Sequence, residues 1–158
     1  MESVSLSTCA GLYVRPSQGS SEPVTVTPLP CEEIVLRALL KRNWCHEDTK
    51  RIKADAFIRD PKKDLDGLSV NIRSKTEAES WLASFSRSFG ADTLHTGGIR
   101  DIDQELNVGQ ADEDSETYPE HAIITGLPFS DDDPERAEIL ASRLVEISRT
   151  LDRTMRKK

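Results

Sequence analysis

The last 28 residues, Asp131 to Lys158, constrain the fold of this chain more than any other stretch. They read as one amphipathic helix. Acid comes first, at Asp131, Asp132, Asp133, Glu135 and Glu138, with Pro134 in the opening turn. Base comes last, at Arg149, Arg153, Arg156, Lys157 and Lys158. That order complements a helix dipole, positive at its start and negative at its end. Ala137, Leu140, Ala141, Leu144, Ile147, Leu151 and Met155 recur at three- and four-residue spacing, which gives the helix one face to bury. The chain therefore folds around a core.

That core must be aliphatic. Large apolar residues make up 36% of the 158 residues and aromatics only 5%. The length suits one domain. A net charge of −7 argues against a binder of the phosphate backbone, which needs a basic face. Cys9, Cys31 and Cys45 are too few and odd in number for a disulfide framework. The N-terminus has no basic stretch followed by an apolar core, so no secretory signal is read. No apolar run approaches the roughly 20 residues that span a bilayer. Together these features lead to the expectation of a cytoplasmic protein without a membrane partner.

Residues 1–30 are rich in Ser, Thr and Pro and read as a loosely ordered arm, with short strands over Val24–Thr27 and around Leu12-Tyr13-Val14. Residues 31–158 read as one domain. A helix is expected from Cys31 to Arg42, with Val35, Leu36, Leu39 and Leu40 as its apolar stripe and Trp44 near its end. The Asp60-Pro61 and Asp66-Gly67 pairs signal turns. Leu68-Ser69-Val70-Asn71-Ile72 alternates cleanly and reads as a strand. Thr76 and Glu79 form a capping box for a second helix carrying Ala78, Trp81, Leu82, Phe85 and Phe89 on one face, stopped by Gly90. A strand bulged at Gly97-Gly98 is expected over Thr93–Ile102. A short strand at Leu106–Val108, an acidic loop at 111–120 and a buried strand at Ala122–Leu127 follow.

Candidate chemistry is sparse. His95 and His121 stand at or near the starts of expected strands, and neutral-range proton transfer suits imidazole. If those strands were neighbours, the two rings could meet in a phosphoester-type hydrolase or transferase, with Asp101 orienting one of them. The other reading of both is structural or surface histidine. Cys31, Cys45 and His46 are the only Cys/His grouping and lack the close pairs of a zinc site, so no metal is expected. The acids of 112–120 lack the alternation and central Gly of a calcium loop. No Gly-x-Gly-x-x-Gly or phosphate-loop motif is present, so no cofactor is expected. Arg59, Lys62 and Lys63, in the 51–63 loop with Phe57, are candidate binding residues for nucleic acid or an acidic partner. Interleaved Asp55, Asp60, Asp64 and Asp66 nearly cancel their field and favour a salt-bridged loop.

The segments Ala56-Phe57, Asp66-Gly67-Leu68-Ser69-Val70, Leu94-His95-Thr96-Gly97 and His121-Ala122-Ile123-Ile124-Thr125-Gly126 resemble a group of short bacterial proteins with no assigned activity. The resemblance runs from about Glu33 to the C-terminus. It implies a self-contained small protein and transfers no activity.

These readings combine into an α+β fold: a single small domain with three helices packed on a mixed or antiparallel sheet of about four to five short strands. Leu68, Val70, Ile72, Trp81, Leu82, Phe85, Ile123, Ile124, Leu140, Leu144 and Ile147 are its expected core. The leading functional expectation is a non-catalytic module that binds another protein. The competing expectations are the His95/His121 enzyme and a weak nucleic-acid binder using the 51–63 loop.

Overall fold

A computed structural model of the protein describes residues 11–14, 23–112 and 116–153. Its strands are β1 (Gly11–Val14), β2 (Pro23–Pro28), β3 (Ile34–Ala38), β4 (Leu68–Ile72), β5 (Gly90–His95), β6 (Asn107–Ala111), β7 (His121–Thr125) and β8 (Arg149–Arg153). They form one sheet in the order β1-β2-β6-β7-β4-β3-β5-β8, antiparallel at every pairing. Three α-helices accompany it among the described residues: α1 (Ala78–Ala83), α2 (Thr96–Ile102) and α3 (Pro134–Ile147).

The expectation of four to five strands is corrected to eight. The largest error lies at Ile34–Ala38, read as helix and found as the strand β3 between β4 and β5. The reason is burial on both faces. Val35 and Leu36 point to opposite sides of the sheet, and both have 0% exposure. A strand covered on both faces shows a continuous apolar run, which periodicity alone does not separate from a helix.

The second error lies at the C-terminus. The final helix ends at Ile147, and the chain turns into β8 against β5. Ser148 is extended (φ −76°, ψ 153°), and Leu151 then packs beside Ala38, Leu82 and Ala91. The start of the helix is as expected: Asp133 caps it through the Arg136 amide, with Pro134 in the first turn. Residues 154–158 lie outside the described residues.

Two smaller corrections follow. The Thr93–Ile102 segment is half strand and half helix, since β5 passes directly into α2. Gly97 sits in that helix, close against Cys31, where a Cβ would come within 3.3 Å of the Cys31 Cβ. The capping-box helix is only α1, capped by Glu77 through the Ser80 amide. Gly90 has a positive φ of 111°, but it opens β5 instead of closing a helix. The strands expected within the N-terminal arm coincide with β1 and β2, and β2 pairs with β6. Residues 1–10 and 15–22 of that arm lie outside the described residues, as do 113–115 of the acidic loop.

Alternation gives the sheet two unlike faces. Val35, Leu68, Val70, Ile72, Leu94, Val108, Ala122 and Ile124 build the main core with Phe57 and with Leu140, Ala141 and Leu144 of α3. The opposite face holds two smaller clusters. One joins Ala38, Leu82 and Ala91 to half-buried Trp81 and Phe85, and the other joins Val26, Ala111 and Ile123. Trp81 and Phe85 meet edge-on at 5.8 Å. No helix among the described residues is long and apolar enough to cross a membrane.

Candidate functional site

The site is built on a fault in the sheet. β3 and β4 pair only at Val35↔Ile72 and Leu36↔Asn71. Beyond that point β3 continues along β5 as far as Ala38↔Ala91, and β4 continues along β7 from Leu68↔Ile124. The Arg37 side chain takes the place of the missing ladder. Its Nε donates to the Ala56 carbonyl at 2.8 Å and its Nη1 to the Ser69 carbonyl at 2.9 Å. The guanidinium carbon lies 5.0 Å from the Trp44 ring centroid, and Lys41 Nζ lies 5.6 Å from the same centroid.

Arg37 is 8% exposed. Burial pushes its pKa down to about 10, and the charge of Asp64 opposes that shift. Guanidinium stays protonated throughout the physiological range. The depression reflects the desolvation of a buried charge, which Asp64 offsets only in part.

Around this fault lies a cleft of about 930 Å³. Trp44, Trp81, Phe85, Leu40 and Ile58 supply apolar wall, and Ser69, Asn71 and His121 supply polar wall. Four basic side chains (Arg37, Lys41, Arg59, Lys63) and four acidic ones (Asp55, Asp60, Asp64, Glu138) line it. The cleft thus carries both signs in balance. Its acidic side is ordered by local hydrogen bonds. Asp60 accepts from the Lys62 amide at 2.8 Å, and this bond, reinforced by the Lys63 amide and the charges of Lys63 and Lys41, holds its carboxyl below the usual range. Asp64 accepts from the Asp60 amide at 2.7 Å.

His121 and Ser69 sit on neighbouring strands and meet at 2.9 Å between Nε2 and Oγ. Asn71 donates to the Thr76 hydroxyl at 3.3 Å, and that hydroxyl donates to the Ile72 carbonyl at 2.7 Å.

The expected histidine pair is not assembled. His121 opens β7 and His95 ends β5, with β4 and β3 between them. At about 4.8 Å per strand spacing, their backbones stand roughly 14 Å apart. Asp101 is exposed on α2. That helix sets Ile99 into the main core, while His121 alternates to the other face. Of the three, His121 alone lines the cleft.

Arg59 needs the opposite correction. It is 2% exposed, and all three guanidinium nitrogens donate to main-chain carbonyls of Asp64, Leu65 and Leu127. It pins a loop and offers nothing to a phosphate. Lys62 and Lys63 are exposed, and Lys63 reaches the cleft. Among the described residues no group of three or more His, Cys, Asp or Glu can hold a metal. Cys31 is exposed and Cys45 buried, both as free thiols.

Elsewhere Arg136 bridges Asp103 at 3.1 Å and Glu105 at 2.9 Å. The Glu105 amide first, and Arg136 second, hold the Asp103 carboxyl below its ordinary value. This is an open surface ion pair of the kind that contributes little.

Sequence reasoning passed over Arg37, Trp44 and Trp81 as a group. A signal was present for the first: a cation at the centre of Val35-Leu36-Arg37-Ala38-Leu39 is out of place in any buried element without a purpose. Comparisons with protein-family models, with curated proteins and with solved structures found no match.

Proposed function

We propose that this chain is a non-catalytic binding module and that the cleft beside β3 and β4 accepts a short segment of another polypeptide. The observation that carries the reading is the concentration of both tryptophans, Phe85 and a buried arginine on one concave surface. Trp and Arg are the residue types that dominate binding energy at protein interfaces. Charge balance points the same way. Equal numbers of acidic and basic side chains suit a mixed peptide and give a polyanion such as nucleic acid no net attraction.

Selection of displayed random peptides on the immobilised protein tests this. Enriched peptides should bind Trp81→Ala at least about 10-fold more weakly, the size expected for losing an aromatic anchor. Circular dichroism confirms that the variant is folded. Peptides that bind the variant as well as the wild type, or an absence of enrichment, would refute the proposal.

One observation favours a second reading. The Ser69–His121 hydrogen bond on the cleft wall has the form of a nucleophile and its base. Against it, Ser69 lies in regular strand geometry, and the positive-φ positions among the described residues are Lys50, Gly90 and Gly126. A fluorophosphonate separates the two. In the acyl-transfer reading Ser69 Oγ attacks phosphorus, fluoride leaves and His121 takes the hydroxyl proton. The binding reading expects Ser69 to remain unlabelled in intact-mass spectra. Stoichiometric labelling that His121→Ala abolishes would establish the enzyme instead.

A further inference from the structure

We propose that Arg37 is the anchor for a carboxylate of the bound segment, whether an Asp or Glu side chain or a chain terminus. This rests on the cleft being the binding site.

Arg37 differs from the other inward-facing arginines in what its guanidinium holds. Arg59 spends all three guanidinium nitrogens on carbonyls. Arg100 spends all three as well, on Asn107, Cys31, Leu29 and Val108. Those two are struts. Arg37 spends two, on Ala56 and Ser69, and its Nη2 donates to nothing among the described residues. No carboxylate among them lies within 4.0 Å of it. A charge more than nine-tenths buried, with unspent N–H groups in a cleft wall, is an incomplete site. Asp64 offsets part of the cost of this buried charge from beyond ion-pair distance, and an incoming carboxylate lowers the cost further while accepting a charge-assisted hydrogen bond. Lys41, over the same Trp44 ring, adds a second positive charge nearby.

A singly charged carboxylate fits better than a phosphate. Nε and Nη1 of Arg37 are already engaged, so the fork that grips phosphate with several donors is not free, while one remaining nitrogen can serve a carboxylate.

The test uses two small probes that differ only in the group at issue: N-acetyl-tryptophan, a carboxylate, and N-acetyl-tryptophanamide, which is neutral. Each is titrated into the ¹⁵N-labelled full chain, following the Trp44 and Trp81 indole signals and the Arg37 Nε signal. The acid should move all three and bind at least ten-fold more tightly than the amide. In Arg37→Gln the preference should vanish. The wild-type comparison stands even if that variant does not fold. If both probes move the indole signals with equal affinity and leave the Arg37 signal still, the carboxylate anchor is overturned while the cleft reading survives. If neither probe moves the indole signals, both fall.

Discussion

Gly126→Ala should destabilise the protein by about 4 kcal/mol, from a left-handed backbone penalty of about 1–2 kcal/mol and a comparable or larger overpacking cost. Gly126 directly follows β7 with φ +98°. An added Cβ would collide with the Glu105 carbonyl oxygen, and would stand 2.8 Å from the Glu105 carbonyl carbon and 3.2 Å from the Leu106 Cα. All three are backbone atoms, so relief requires β7 to move away from the turn that leads into β6. The Asn107↔Thr125 pairing lies directly beside the clash. Urea denaturation should show the full loss, and thermal unfolding a fall of about 8–16 °C for a chain of this size. Gly98→Ala is the control. Its Cβ would meet the flexible Ile147 Cδ1 at 3.4 Å, and alanine in a helix is favoured over glycine by about 0.5–1 kcal/mol. That variant should match the wild type or exceed it. A Gly126→Ala protein within about 1 kcal/mol of wild type would mean that the contact between the end of β7 and the turn leading into β6 is far looser than its distances imply.

Which parts of this fold were legible in the sequence follows from how local their causes are. β4 coincides with the expected strand because Leu68, Val70 and Ile72 alternate with Ser69 and Asn71, and only one of its faces is packed into the main core. The start of α3 was legible because Asp133 and Pro134 act within one turn. β3 was not, because its partners Asn71, Thr93 and Leu94 lie tens of residues away, and burial on both faces erases the alternation that marks a strand. β8 was not, because Leu144, Ile147 and Leu151 keep helical spacing while the pairing with β5 decides the outcome. Tertiary context overrides propensity in both places.

The site was harder to see for the same reason. The cleft draws Arg37 from β3, Trp44 from the segment after it, Ser69 from β4, Trp81 from α1 and His121 from β7. No motif in linear order marks such a set. The two histidines drew attention as chemically versatile residues, but strand order separates them. The basic loop drew attention through Arg59, Lys62 and Lys63, although all three guanidinium nitrogens of Arg59 are spent on main-chain carbonyls.

Arg59→Met should cost about 3–5 kcal/mol, since burying an unsatisfied carbonyl costs about 1–3 kcal/mol and the arginine serves three of them. Nε and Nη2 both reach the Asp64 carbonyl, at 3.1 and 2.6 Å, Nη2 also reaches Leu65 at 2.9 Å, and Nη1 reaches Leu127 at 2.7 Å. The guanidinium carbon stacks 3.9 Å from the Phe129 centroid. Methionine keeps volume and some ring contact but supplies no donor. Lysine should rescue little, because one ammonium does not reproduce a planar fork spread over three carbonyls. The consequence extends to function. Arg59 fixes Asp64 and Leu65, and Asp60 is tied to Asp64 through its amide, so the acidic side of the cleft depends on this strut. A folded fraction of Arg59→Lys should therefore bind N-acetyl-tryptophan more weakly than the wild type although neither contact at Arg37 has been altered. If Arg59→Met unfolds at the wild-type urea midpoint, the three carbonyls have found water, and the loop that carries Asp60 and Lys63 is not part of the rigid wall that selective binding in this cleft requires.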